Sequence, residues 1–374
     1  MQRVGGVGCA QRGWAGLCKR LPNALQSKAI NDLAPADPKV LTGGNEMDVG
    51  HRREFMALAA AVLVSQAFAQ TPPARGRLTL PPPPKVVPKA WLDAPRVALW
   101  PGNPPGAEGF EPQTLPSDWS PVFLRNVARP ELRIFRPLHP TGEALLVIPG
   151  GAYWFVSAAN EGVDLAQRMV AYGVTVCVLT YRLPGEGWKN RSDVPLQDAQ
   201  RAMRVMRSRA SQLGIDAKKI SVLGFSAGGH LAATLATQHS ERTYDPIDSV
   251  DELDARPTAV GLIYPVVTME KPLTHEMSRK LLLGESPSEQ EIAHRSAERH
   301  VNSDTPPGFI AHAFDDEAVP VDNSLRFMNA MRSAHRPVEA HLLQEGGHAF
   351  GVGYPHSPSE YWIALFASWL QRAD

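Results

Sequence analysis

One serine in this sequence stands where a nucleophile would be placed. An apolar run, Ile220 to Leu223, ends in Gly224-Phe225-Ser226-Ala227-Gly228, and small and apolar residues with helical spacing follow. This order predicts a strand, a sharp turn and a helix, with Ser226 presented at the turn. The two flanking glycines leave room for a turn that a Cβ would crowd. We therefore expect Ser226 to be a nucleophile, with the N–H of Ala227 available to stabilise an oxyanion.

A serine nucleophile needs a general base, and His348 is the best candidate. It lies in the glycine-rich segment 345–351, shortly after the predicted strand Val338 to Leu343. A histidine at the carboxyl end of such a strand can reach the crevice in which open α/β sheets bind ligands. His230 follows the serine by four residues, and we expect it to pack under the turn or to line the pocket.

The third group of such a site is an acid that orients the imidazole. The run Phe309 to Phe314 predicts a strand, and Asp315, Asp316 and Glu317 follow it. Position alone leaves all three acids open. Serine, acid and histidine then follow one another along the chain in the order that is typical of the α/β-hydrolase fold.

Strand-like and helix-like segments alternate around these residues. This alternation predicts the α/β class, with a mostly parallel central sheet and helices on both faces. The charged stretch 268–305 is expected to be a partly helical insertion that begins at a strand end and covers the site. Strands are predicted over 97–100, 131–136, 144–148, 174–179, 220–223, 259–263, 309–314 and 338–343, and helices over 160–172, 194–213, 231–236, 324–331 and 361–370.

Residues 1–90 are expected to lie outside the folded domain. Arg52-Arg53, an uncharged stretch and Ala67-Phe68-Ala69 predict an export signal of the twin-arginine type over residues 47–69. We expect translation to begin at Met47, which makes residues 1–46 a non-native or untranslated extension. Residues 70–90 form a proline-rich linker, and the hydrolase domain spans 91–374. The mature protein is then exported, to the periplasm or the medium.

Composition and spacing argue against several other classes of protein. Lys plus Arg and Asp plus Glu both number 38, so nothing favours a nucleic-acid partner. The apolar stretch 55–69 is too short to span a membrane, so no span is expected in the mature chain. Of three cysteines only Cys177 follows the leader, which excludes an internal disulfide. The histidines lack metal-ligand spacing, so we expect no metal and no cofactor.

Several motifs together resemble the α/β-hydrolase superfamily, over about residues 97–369. Within it the chain is similar to exported bacterial esterases often grouped with acetyl-xylan esterases. One motif, Pro149-Gly150-Gly151-Ala152, stands where lipase-like esterases carry His-Gly-Gly-Gly, and it differs at both ends. The other motifs are Thr180-Tyr181-Arg182-Leu183-Pro184, Gly224-Phe225-Ser226-Ala227-Gly228-Gly229-His230, Asp316-Glu317-Ala318-Val319-Pro320 and Gly346-Gly347-His348.

This resemblance implies roles for further residues. It selects Asp316 as the orienting acid, through the pattern D-x-x-V-P, and Gly151 and Ala152 as oxyanion donors beside Ala227. Three side chains are candidates for substrate binding, Tyr153, Trp154 and His275, although the two aromatic rings could equally be core residues.

The implied activity is removal of short acyl groups, above all acetyl, from plant-type polysaccharides or oligosaccharides. The alternatives are a generic carboxylesterase or lipase, a serine peptidase of the prolyl-oligopeptidase kind, and a non-catalytic glycan-binding module.

Overall fold

The structure is a computed structural model that describes residues 84–372. The predicted extension, the export signal and the linker as far as residue 83 lie outside the described residues. The last part of the linker is packed on the domain, since Ser120 Oγ donates a hydrogen bond to the carbonyl of Pro84 (2.8 Å). Helix α1 begins at Lys89, two residues before the predicted start of the domain.

A central sheet of eight strands organises the domain, in the order β1-β3-β6-β4-β7-β8-β9-β10. Strands β4 and β6 to β10 run parallel, and β1 and β3 pair antiparallel at one edge. The strands are β1 (Arg96–Ala98), β2 (Phe123–Leu124), β3 (Glu131–Phe135), β4 (Ala144–Ile148), β5 (Val156–Ser157), β6 (Thr175–Thr180), β7 (Ile220–Phe225), β8 (Val260–Ile263), β9 (Gly308–Ala313) and β10 (Val338–Leu343).

Helices cover both faces of this sheet, as the alternation of the sequence predicts. Side chains of β4 alternate between two apolar clusters: Leu146 joins one and Leu145 the other. Both faces of a central strand are therefore buried, which explains its continuous apolar run. The helices are α1 (Lys89–Asp93), α2 (Leu165–Val170), α3 (Val194–Ser208), α4 (Ala210–Leu213), α5 (Ser226–Gln238), α6 (Glu276–Leu283), α7 (Glu289–His294), α8 (Asp322–Ser333) and α9 (Trp362–Leu370).

The α/β-hydrolase fold predicted from the sequence is confirmed, with differences at the element level. The predicted helix 160–172 divides into a π-helical turn, Ala159–Asp164, and α2. The predicted helix 194–213 divides into α3 and α4 at Arg209, whose ψ of 15° interrupts the helix. The two-stranded sheet of β2 and β5 was not predicted, because each strand has only two residues. The insertion contains α6 and α7, and no helix within residues 84–372 combines the length and apolar character needed to cross a membrane.

A buried ion pair fixes α3 against the carboxyl end of β6. Arg182 and Asp198 are both fully buried and joined through Nη2 and Oδ1 at 2.8 Å. Asp198 also accepts hydrogen bonds from the Arg182 backbone N–H and from Trp100 Nε1, both at 2.9 Å. Nη1 of Arg182 donates to the carbonyl of Pro105, and Nη2 also donates to Gln197 Oε1. Each buried charge is thus paired and hydrogen-bonded, as burial of charge requires.

Replacing one member of this pair should destabilise the fold. Arg182→Met leaves Asp198 buried without its counter-ion, and we expect a loss of about 3–5 kcal/mol in the free energy of unfolding. Lys89→Met, which breaks an exposed ion pair with Asp93, is the control and should cost less than about 1 kcal/mol. Urea unfolding of both variants measures the difference, and equal losses would contradict the structural role given to Arg182.

Candidate active site

Ser226 occupies a strained turn between β7 and α5. Its φ is +50°, in the left-handed region, which costs a non-glycine residue roughly 1–2 kcal/mol. A Cβ at Gly224 would collide with the carbonyl of Gly228, and one at Gly228 with the carbonyls of Ile148 and Pro149. Glycine at both positions therefore lets β7, α5 and the end of β4 approach closely. The turn lifts the Ser226 side chain to the cavity surface.

The structure brings Ser226, His348 and Asp316 into one chain of hydrogen bonds. Ser226 Oγ lies 2.9 Å from His348 Nε2, and His348 Nδ1 lies 2.6 Å from Asp316 Oδ2. With Nδ1 donating to the carboxylate, Nε2 is the acceptor for the serine proton. This is the geometry that a general base and its orienting acid require.

The structure distinguishes the two neighbouring aspartates by what they contact. Asp316 is buried, and its Oδ1 accepts the backbone N–H groups of Ala318 (2.9 Å) and Val319 (2.8 Å). Burial would raise the pKa of the Asp316 carboxyl, but hydrogen bonds from His312, His348 and Val319 and the charge of His348 outweigh it, so the pKa lies well below its usual range. Asp315 is exposed and accepts the N–H of Gly347 (2.8 Å), which fixes the loop that bears His348.

The residues predicted from the sequence to be oxyanion donors lie beside Ser226. Gly151 and Ala152 line the same cavity as Ser226, and their φ angles are +126° and +57°. Neither N–H donates to a protein group within residues 84–372. Ala227 is the second residue of α5, where a backbone N–H has no intrahelical acceptor. Three backbone donors are thus available near Ser226.

Tyr153 is placed in the core rather than on the cavity wall. Only 1% of it is exposed, and its hydroxyl lies 2.8 Å from His230 Nδ1. His230 Nε2 donates to the carbonyl of Arg295 at 2.7 Å, so Nδ1 accepts the tyrosine proton. Tyr153, which follows Ala152, is thereby connected to α5, the helix that begins at Ser226, and through His230 to Arg295 of the insertion. His230 packs under the turn, one of the two positions expected from the sequence.

The cavity above Ser226 has a volume of about 730 Å³. His275, at the start of α6, borders it and accepts a hydrogen bond from Ser278 Oγ at Nδ1 (2.8 Å). Trp154 stands outside the cavity wall, 39% exposed and packed edge-on against Trp119. The aromatic rings in the wall are instead those of Phe123, Phe155, Phe350 and Tyr354.

Several polar residues of the site were not identified from the sequence, among them Glu161 and His312. Glu161 borders the cavity and is buried; it lies four residues before Leu165 and eight before Met169, on the apolar face of the predicted helix. His312 lies in the apolar run of β9 and contacts Asp316 Oδ2 through Nε2 at 3.1 Å. A polar residue inside an otherwise apolar pattern is the signal that could have found both. Within residues 84–372 no group of three His, Cys, Asp or Glu side chains is arranged to hold a metal ion.

A serine–histidine–aspartate chain on a strand-to-helix turn of a mostly parallel sheet is the arrangement of α/β-hydrolase enzymes. Comparison with known families agrees: the BD-FAE family model matches residues 132–331, and the chain belongs to this family.

Among solved structures, the chain is similar to an acetyl ester-xyloside bifunctional hydrolase from Caldicellulosiruptor lactoaceticus. The two are 33% identical, with a TM-score of 0.60, over 72% of this chain and 97% of that one. The resemblance stated from the sequence is therefore confirmed.

Two curated relatives extend the comparison. An acetylxylan esterase of Xylanibacter ruminicola is 28% identical over 265 residues, which is 69% of this chain and 52% of the relative. An endo-1,4-beta-xylanase B of Butyrivibrio fibrisolvens is 36% identical over 210 residues, which is 56% of this chain and 33% of the relative. The chain thus spans about half of the first relative and a third of the second.

Ser226→Ala should remove esterase activity and leave the fold intact. Loss of the nucleophile of such a triad lowers kcat by about 10⁶ in a related case. Hydrolysis of p-nitrophenyl acetate measures the rate, and circular dichroism with thermal unfolding measures the fold. A folded Ser226→Ala protein with substantial activity would exclude Ser226 as the nucleophile.

The two aspartates can be separated by matched substitutions. Asp316→Asn should lower kcat by about 10⁴, because an amide cannot hold the imidazole in the required tautomer. Asp315→Asn keeps an oxygen for the N–H of Gly347 and should have a much smaller effect. The opposite order of the two rates would identify Asp315 as the orienting acid.

Burial of His230 should make the fold sensitive to acid. Burial lowers the pKa of His230 from its usual 6.5 to about 4, against an opposing hydrogen bond with the Arg295 carbonyl. The unfolded chain then binds more protons in this range, so the free energy of unfolding falls as the pH drops from about 6.5 to 4. The loss from this group is on the order of 3 kcal/mol. Urea unfolding of wild type and His230→Gln over this range should give a shallower pH dependence for the variant; identical slopes would rule out this contribution.

Proposed function

We propose that this chain is a serine esterase that removes short acyl groups, above all acetyl, from plant-type polysaccharides or oligosaccharides. The observation that carries the proposal is the hydrogen-bonded series Ser226–His348–Asp316 at the wall of an open cavity. The names of the relatives, which include an acetylxylan esterase and an acetyl ester-xyloside hydrolase, support the ester and the sugar components.

In the proposed reaction, Ser226 Oγ attacks the ester carbonyl while its proton passes to His348 Nε2. The carbonyl oxygen becomes an oxyanion and is stabilised by the N–H groups of Ala227, Gly151 and Ala152. The imidazolium then protonates the leaving alcohol, and an acyl-serine ester remains. A water molecule, deprotonated by His348, hydrolyses that ester and restores the enzyme. Asp316 stays ionised throughout and stabilises the imidazolium.

Polar groups at the cavity support a hydroxyl-rich substrate. Asn160 and Asp164 lie on the π-helical turn and border the cavity. Asn160 Oδ1 accepts a hydrogen bond from Ser157 Oγ (2.8 Å), which leaves its amide N–H groups for a ligand. His275, with Nδ1 accepting from Ser278, can donate from Nε2. Export, which the pattern at residues 47–69 favours, would bring such an enzyme to polymeric carbohydrate outside the cytoplasm.

A second candidate is a carboxylesterase that acts on apolar esters. Val122, Phe123 and Phe155 form a contiguous apolar part of the cavity lining. The Phe155 ring lies against the oxyanion segment: a Cβ at Gly151 would touch this ring. An apolar wall of this kind could also accept a longer acyl chain. Acyl-chain length is therefore the property that separates the two candidates.

We expect acetyl esters to be preferred over butyryl esters by at least about tenfold in kcat/KM, since a pocket loses about 1–3 kcal/mol for each methylene it cannot accept. Rates on p-nitrophenyl acetate, butyrate and octanoate test this, together with acetate release from acetylated xylan. Phe155→Ala should narrow the preference by opening space. Trp154→Ala is the matched comparison, because its ring stands outside the cavity.

Two results of these measurements would contradict the proposal. Octanoate hydrolysed as fast as acetate would reject the short-acyl proposal and favour the carboxylesterase. Rapid hydrolysis of p-nitrophenyl acetate without release of acetate from xylan or xylo-oligosaccharides would reject the carbohydrate substrate and retain the esterase.

A further inference from the structure

A buried carboxylate that the proposed reaction does not use lies between two loops of the site. Glu161 is 3% exposed and lies on the π-helical turn Ala159–Asp164. Its Oε2 accepts the backbone N–H of Gly150 at 2.7 Å, and its Oε1 accepts the hydroxyl of Tyr264 at 2.9 Å. Gly150 directly precedes the oxyanion donors Gly151 and Ala152. The hydrogen bond between Gly150 and Glu161 therefore fixes the residue that leads into the oxyanion segment.

The other end reaches the loop that bears the base. Tyr264 follows β8 with a φ of +37°, a left-handed conformation that is unusual for a tyrosine. Its hydroxyl oxygen accepts the backbone N–H of Gly351 at 3.1 Å. Its ring packs edge-on against the imidazole of His348, with centroids 5.0 Å apart. Glu161 and Tyr264 thus connect the oxyanion segment with the loop of His348.

The directions of these hydrogen bonds require that both side-chain positions of residue 161 act as acceptors. The backbone N–H groups of Gly150 and Gly351 can only donate. The Tyr264 oxygen accepts from Gly351, so its own hydrogen points to Glu161. A carboxylate accepts at both oxygens, whereas an amide at this position presents a donor to one of its two partners. Burial raises the pKa of Glu161, and the bonds from Gly150 and Tyr264 and the charge of His348 partly offset that rise.

We propose that Glu161 is a positioning residue that holds the oxyanion segment and the base loop in a fixed relation through Tyr264. The proposal rests on the proposed serine-esterase function. Its chemical consequence appears in the transition state, because the oxyanion donors must meet a charge that develops only there. A displacement of about 1 Å in such a group can lower the rate by about 100-fold.

Glu161→Gln tests this role with almost no change in volume. On p-nitrophenyl acetate we expect kcat to fall by about 10- to 100-fold, with KM changed by less than about threefold. Affinity for a phenylboronic acid, which forms a tetrahedral adduct with an active serine, should fall in parallel with kcat. Tyr264→Phe removes the same connection from the other side and should reproduce both effects. The kcat and boronate affinity of the double variant should be close to those of the less active single variant, because the two residues act as one unit.

Glu186→Gln is the matched control. Glu186 is also a fully buried carboxylate, its pKa is also raised by burial, and its Oε1 accepts the backbone N–H of Asn126 at 2.9 Å. It does not border the catalytic cavity. Glu186→Gln should lower the midpoint of thermal unfolding without changing kcat or boronate affinity.

The outcomes separate this proposal from the one on which it rests. If wild type acts through Ser226 while Glu161→Gln and Tyr264→Phe stay within about twofold of its kcat and boronate affinity, the positioning role is overturned. If Glu161→Gln does not fold, Tyr264→Phe alone is the test: a fall in kcat and boronate affinity supports the positioning role, and values near those of wild type overturn it. Activity that survives Ser226→Ala would instead refute the proposed function.

Discussion

The site depends on the left-handed backbone of Ser226 at the end of a strand that is buried on both faces. That conformation costs roughly 1–2 kcal/mol and persists only where its surroundings determine it. Strand β7 is held between β4 and β8 by parallel ladders, and the Ser226 carbonyl accepts the N–H of Val266 at 3.0 Å. Glycine at positions 224 and 228 permits the close backbone approach that the turn requires. The rigid sheet therefore maintains the strained turn, and the turn presents Ser226, the proposed nucleophile.

Much of this arrangement could be predicted because it follows from local patterns. The central strand β4 is a continuous apolar run because both of its faces are buried. Both β4 and the edge strand β10 were predicted with their observed bounds. The serine turn, the glycine-rich loop of His348 and the acids after β9 each follow a predicted strand. Contacts between distant segments have no comparable local signal. For this reason the sequence leaves Tyr153 open as either a substrate-binding or a core residue, and only the structure shows its hydroxyl meeting His230, 77 residues later in the chain.

The π-helical turn at residues 159–164 is the departure from regular structure that positions Glu161. The π-helical turn Ala159–Asp164 adds one residue to a helical path, as π turns commonly do near functional sites. It places Glu161 toward Gly150 while Leu165 and Met169, further along, remain in the core. The 3.6-residue period of a regular helix gives no sign of this one extra residue. The sequence shows only that an acid interrupts an apolar face, and the structure supplies the partners that make its burial possible.

Asp316 illustrates how buried polar groups define one another's roles. His312 Nε2 lies 3.1 Å from both Asp316 Oδ2 and the carbonyl of Val319, which are acceptors, so this nitrogen bears hydrogen. Its Nδ1 meets Ser324 Oγ at 2.8 Å. Asp316 therefore receives hydrogen bonds from two imidazoles and two backbone N–H groups, and its pKa is held well below its usual range. A carboxylate so strongly stabilised as an anion is a poor proton acceptor. Its part in the proposed reaction is to orient His348 and to balance the charge that the imidazole gains.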